Sequence, residues 1–95
     1  MKKIYLSGPM RGHHLLNAPK FAEYANKLRL EGHTVFNPAA ANLESWPLRK
    51  IFEYELSWIC REAEAIALIP GWENSEGVAA ELATAKVLGL EIIPL

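Results

Sequence analysis

The sequence predicts a Rossmann-like (flavodoxin-like) α/β fold, a doubly wound four-stranded parallel sheet in the order β-α-β-α-β-α-β. Three observations predict it. Short apolar runs alternate with longer stretches of helical periodicity. The first three runs each stop at a turn-forming pair, Gly8-Pro9, Asn37-Pro38 and Pro70-Gly71. The whole chain is 95 residues, enough for one core and read here as a single domain spanning residues 1–95.

Ile4 to Ser7 is the first strand, cut off by Gly8-Pro9. After a polar loop, Asn17 is expected to cap a helix with Pro19 in its first turn, where a missing N–H costs nothing. Phe21, Ala25 and Leu28 recur at helical spacing, and Gly32 supplies the stop. Thr34-Val35-Phe36 is the second strand. A loop runs to Pro47, and a second helix follows to about Arg61 with Leu48, Ile51, Phe52, Trp58 and Ile59 on one face. Ala65 to Ile69 is the third strand. A third helix runs from about Glu76 to Leu88, ended by Gly89, and Ile92-Ile93 form a last short strand. Strands alternating with helices require crossovers, and right-handed crossovers leave few topologies. The favoured strand order is 2-1-3-4. Ligands of such sheets bind beyond the carboxyl ends of the strands where the winding reverses. The loops there are Ser7–Asn17 and Pro70–Gly77.

Composition narrows the function classes. The formal net charge is −1 with both signs interspersed, and no basic stripe marks a nucleic-acid surface. The apolar run after Met1-Lys2-Lys3 is too short for a secretory signal, and no run approaches membrane-spanning length. A single cysteine, Cys60, excludes an internal disulfide and suits a reducing compartment, so a cytoplasmic location is expected. His13, His14 and His33 form no metal spacing with Cys60. Small size and the aromatic-rich second helix (Phe52, Tyr54, Trp58) point to a homodimer or higher homo-oligomer.

Ser7-Gly8-Pro9-Met10-Arg11-Gly12 leaves the first strand. Its glycines let backbone N–H groups approach an anion, and Ser7 and Arg11 add donors. The same residues fit a tight turn with a solvated arginine. Ser75 and Gly77 open the third helix and form a second candidate anion site, or simply an N-cap and a loop glycine. Trp72 stacks on a planar ligand or covers the core; Trp46 and Trp58 read as packing residues. Glu81 shares a helix face with Val78, Ala85 and Leu88, and Glu55 with Ile51, Trp58 and Ile59. A carboxylate on an apolar face is costly unless paired or functional. The alternatives are a first-turn glutamate favoured by the helix dipole for Glu81 and a solvent-reaching edge residue for Glu55.

Taken together, these residues resemble the nucleoside 2-deoxyribosyltransferase superfamily, in particular its short bacterial and phage members and the deoxynucleoside 5′-monophosphate N-glycosidases. The resemblance runs through Ile4–Gly12, Gly32–Pro38, Glu55–Trp58 and Leu68–Glu81, and its most specific part is the Ser-x-Gly-x-x-x-Glu spacing of Ser75, Gly77 and Glu81. It implies that Glu81 attacks the anomeric carbon of a sugar and that Tyr5 positions that carboxylate. It further implies that Glu55, standing where the family has an aspartate, assists the departing base. Ser7, Gly8 and Gly12 match the first loop around sugar and phosphate, and Ser75 and Gly77 the second. The expected activity is cleavage or base exchange at the N-glycosidic bond of (deoxy)nucleosides or their monophosphates, with no cofactor. Catalytic residues would be Glu81, Tyr5 and Glu55; substrate would be held by Ser7, Gly8, Arg11, Gly12, Trp72, Ser75 and Gly77. The rival expectation is a nucleotide-binding module, a sensor or sequestering protein, on the same fold. A flavin or dinucleotide oxidoreductase is disfavoured by the missing glycine fingerprint.

Overall fold

The computed structural model describes residues 1–95 and has the expected architecture. Strands β1 (Lys3–Ser7), β2 (Thr34–Phe36), β3 (Ala65–Leu68) and β4 (Glu91–Pro94) form one parallel sheet in the order β2-β1-β3-β4. Helices α1 (Ala18–Leu30), α2 (Leu48–Arg61) and α3 (Glu76–Val87) make the crossovers. No helix is long and apolar enough to cross a membrane.

Alternation along the two central strands sorts their side chains onto two faces. Ile4, Leu6, Ala65, Ala67 and Ile69 pack with Phe21, Ala25 and Leu28 of α1. Tyr5, Ile66 and Leu68 pack with Ile59 of α2 and with Val78, Leu82 and Ala85 of α3. Winding therefore reverses between β1 and β3, and the loops after these two strands leave the same sheet end side by side. The register aligns Ser7 with Leu68, and the Ile69 N–H donates to the Ser7 carbonyl at 2.8 Å.

Two local expectations are corrected. Asn17 does not cap α1. Leu15, Leu16 and Asn17 are all left-handed, with φ of 50°, 53° and 64°. The Asn17 side chain turns back, and its Nδ2 donates to the Pro9 carbonyl at 2.8 Å. That bond ties the far end of the first loop to its start, a use of asparagine that competes with capping. The apolar face of α2 is also not simply a core face. Its buried residues are Glu55 and Ile59, whereas Ile51 and Phe52 are half-buried and Leu48 is 46% exposed. These side chains wall a cleft instead.

Gly8 shows how closely the first loop is packed. A Cβ placed there would lie 2.7 Å from Ile69 Cβ, on the β3 extension it runs beside. By contrast, nothing lies within 4 Å of a Cβ at Gly12, which is needed only for its φ of +81°. Gly8→Ala should lower the stability measured by urea unfolding by about 1–3 kcal/mol, the usual cost of overpacking. An unchanged midpoint would show that Ile69 yields freely.

Candidate active site

Glu81 carries the most deeply enclosed carboxyl in the chain. It is the sixth residue of α3, past the first turn, so the helix dipole does not account for it. The residue is 6% exposed. Two hydroxyls from β1 satisfy it: Tyr5 Oη donates to Oε2 at 2.7 Å, and Ser7 Oγ donates to Oε1 at 2.6 Å. Tyr5 and Ser7 are two positions apart on a strand, so both side chains leave the α3 face of the sheet. Leu6 between them goes to the opposite core.

Glu55 reaches the same point from α2 and is 7% exposed. Burial, and then the neighbouring Glu81 charge, push its carboxyl from the ordinary 4.5 up to about 8. Burial also raises Glu81, and the hydrogen bonds from Ser7 and Tyr5 offset only part of that rise. The Tyr5 phenol is held well above its usual range by burial and then by the two glutamate charges, so it remains a donor. Both carboxyls are thus raised and coupled. Of the two, Glu81, which accepts two O–H bonds, is the better stabilised as an anion and Glu55 the better holder of a proton. No buried side-chain nitrogen or oxygen is left without a hydrogen bond.

Both carboxyls open onto a cleft of about 900 Å³. One side is the first loop, with Gly8 to Arg11 and His13. A second is the start of α3, with Gly71 and Asn74 to Val78. The third is Leu43, Glu44 and Trp46 from the loop before α2, together with Leu48, Ile51 and Phe52. The volume lies within the range of small-molecule sites, and the mix of apolar wall and few polar groups is typical of them.

Gly8, Arg11, Ser75 and Gly77 thus line the cleft with Glu55 and Glu81, as expected from the two converging loops. Three expected ligand contacts are placed elsewhere. Ser7 is fully buried and its hydroxyl is engaged with Glu81, so it positions the carboxylate. Gly12 turns the chain outside the cleft wall. Trp72 packs half-buried on the core, and with Glu73, Ala79, Leu82 and Lys86 it walls a separate shallow groove. Ser75 keeps its capping role as well, its Oγ accepting from Val78 N–H at 3.3 Å.

The aromatic and aliphatic wall was not anticipated. Trp46 read as packing, yet it lines the cleft, with Lys50 Nζ 4.7 Å from its ring centroid. The signal was present in α2: Leu48, Ile51, Phe52 and Glu55 follow helical spacing on one face. A stripe that includes a glutamate fits a ligand wall better than a dry core.

The fold and site define a class: a small doubly wound α/β domain with a buried, coupled carboxyl pair at the floor of a switch-point cleft. The chain belongs to the family described as "Domain of unknown function (DUF4406)", whose model matches residues 2–94. No curated protein matches the sequence.

The carboxyl pair makes stability depend on pH. Glu55 titrates higher folded, near 8, than at its ordinary 4.5. The folded state therefore binds more protons between these values, and stability is full below the lower one. It falls as pH rises through the window, by at most about 1.4 kcal/mol per pH unit, and levels above it. Thermal unfolding across this range should show a smaller fall in Glu55→Gln than in wild type, since only the raised Glu81 carboxyl remains. Parallel curves would mean that Glu55 is not the group holding the proton.

Proposed function

We propose that the protein cleaves or exchanges the N-glycosidic bond of (deoxy)nucleosides or their 5′-monophosphates. The observation that carries this reading is the Glu81 carboxylate held on both oxygens by Tyr5 and Ser7 beside a protonated Glu55, with both acids open to the cleft. Environments that drive two neighbouring carboxyls to different protonation states are the requirement for pairing a nucleophile with a general acid. The resemblance of Ser75, Gly77 and Glu81 and of the first loop to the nucleoside 2-deoxyribosyltransferase superfamily supports the same assignment.

In this reading a Glu81 oxygen attacks the anomeric carbon as the C–N bond breaks. Glu55 gives its proton to the departing base nitrogen, leaving a glycosyl ester on Glu81 and a carboxylate on Glu55. That carboxylate then takes a proton from water or from a second base, which attacks the same carbon and frees Glu81. Tyr5 and Ser7 keep the nucleophile ionised and aimed in each half-reaction. The Trp46 and Phe52 wall offers the planar base an apolar surface, while Arg11 and the open N–H groups at the start of α3 face the polar end of the substrate.

A panel of nucleosides and monophosphates, assayed for free base by chromatography, tests the reading. Base release is expected to decline above the pH near 8 at which Glu55 loses its proton. Glu81→Gln should abolish release while ligand affinity stays within about tenfold, or about 1.4 kcal/mol. Full turnover by Glu81→Gln would remove the nucleophile assignment. Tight binding with every ligand recovered intact would identify a binding module instead.

We also propose that the chain works as a homodimer or higher homo-oligomer, in keeping with Leu48 and Tyr54 being 46% and 41% exposed on α2. Light scattering at high micromolar concentration should give at least twice the chain mass of 10.6 kDa, and a monomer there would refute it.

A further inference from the structure

Tyr5 can direct Glu81 only while its ring is held in place. The backbone alone does not hold it, because two side-chain torsions separate the phenol oxygen from β1. What closes round the ring comes from elsewhere. In the parallel register Tyr5 pairs with Phe36 of β2, so the two side chains leave the sheet as direct neighbours. Their rings stack with centroids 5.4 Å apart and planes inclined by only 14°. Trp58 of α2 leans against both, 6.2 Å from Tyr5 and 5.0 Å from Phe36. On its outer side Phe36 meets Tyr54 at 5.7 Å, so Phe36 is itself braced.

Phe36 is half-buried at the end of a three-residue edge strand, with Val35 supplying the strand's buried contact. Its role in filling the core is therefore modest, while its contact with Tyr5 is a near-parallel, offset stack. A ring tilt of about 10° at Cβ carries a phenol oxygen by about 1 Å, and misplacement of that order is costly at a reacting centre.

We propose that Phe36 is a positioning residue: stacked on Tyr5, it holds the phenol hydroxyl on Glu81 and acts on the chemistry only through that hydroxyl. This rests on the reading of Glu81 as the nucleophile. Phe36 touches neither the carboxyls nor the cleft, so its effect has to disappear once the hydroxyl is gone.

The test is a cycle of Phe36→Leu, Tyr5→Phe and the double variant, with Phe36→Tyr as the conservative control. Circular dichroism checks that each is folded. Phe36→Leu should lower kcat for base release about three- to tenfold, the value of one aromatic pair, with KM nearly unchanged. Phe36→Tyr, which keeps the stack, should restore kcat. In the Tyr5→Phe background, Phe36→Leu should add nothing. A loss of equal size in both backgrounds, or a rise in KM alone, would overturn the proposal.

A second readout needs no turnover. Carbon-13 NMR of labelled glutamate carboxyls follows the proton shared by Glu55 and Glu81. Tyr5→Phe removes a bond that stabilises their charge and should move the titration upward. Phe36→Leu should move it in the same direction, with no further movement in the double variant. If Phe36→Leu leaves the titration in place, the proposal fails whatever the kinetics show. If no variant and no wild type releases base while the titrations move as expected, the glycosidic reading fails and the positioning role stands.

Discussion

The Glu81 carboxyl sits where water reaches little of it, and the molecule is arranged around satisfying its two oxygens. An unpaired carboxylate in such surroundings would take up a proton or destabilise the fold by several kcal/mol. Two hydroxyls two residues apart on a central strand answer this, one for each carboxylate oxygen. The bonds run from the centre of the sheet to the middle of α3, which fixes that helix in both rotation and height. The start of α3, which forms one wall of the cleft, is set by the same bonds.

The second carboxyl adds a constraint of a different kind. The raised pKa of Glu55 eases the repulsion between the two acids, so α2 and α3 are joined through a coupled carboxyl pair. Aromatic rings from β1, β2, α2 and the loop before α2 fill the space behind it, from Tyr5 through Phe36 and Tyr54 to Trp46 at the cleft wall. Polar groups thus meet at the floor while apolar groups supply the rigidity. Such a division suits a site that must keep hydroxyls and carboxyls at fixed distances without hydrating them.

The fold was legible because its signals are local. Gly8-Pro9, Asn37-Pro38 and Pro70-Gly71 end strands by their backbone preferences alone, and period-two alternation assigns Tyr5 and Leu6 to opposite faces. Glu55 and Glu81 were legible for a related reason, as charged residues on otherwise apolar helix faces. The role of Ser7 was not, since a serine after a strand looks the same whether it faces a ligand or a buried carboxylate 74 residues away in sequence. Asn17 was misread because its left-handed backbone depends on the path of the whole first loop. Trp46 and Trp72 exchanged expected roles for a similar reason: which side of a helix a loop tryptophan takes is decided by tertiary packing.

The placement of the three tryptophans has a practical side. Trp46 stands in the cleft wall, Trp58 in the aromatic layer behind Tyr5, and Trp72 on the far side of α3. Each indole samples a different compartment, so the chain carries its own optical probes. With two of the three replaced by phenylalanine, emission from the remaining one separates events that a single global signal merges. Trp46 would report occupancy of the cleft, Trp58 the state of the layer behind the carboxyls, and Trp72 the docking of α3 on the sheet. The same small domain can therefore be followed through folding and ligand capture without any added label.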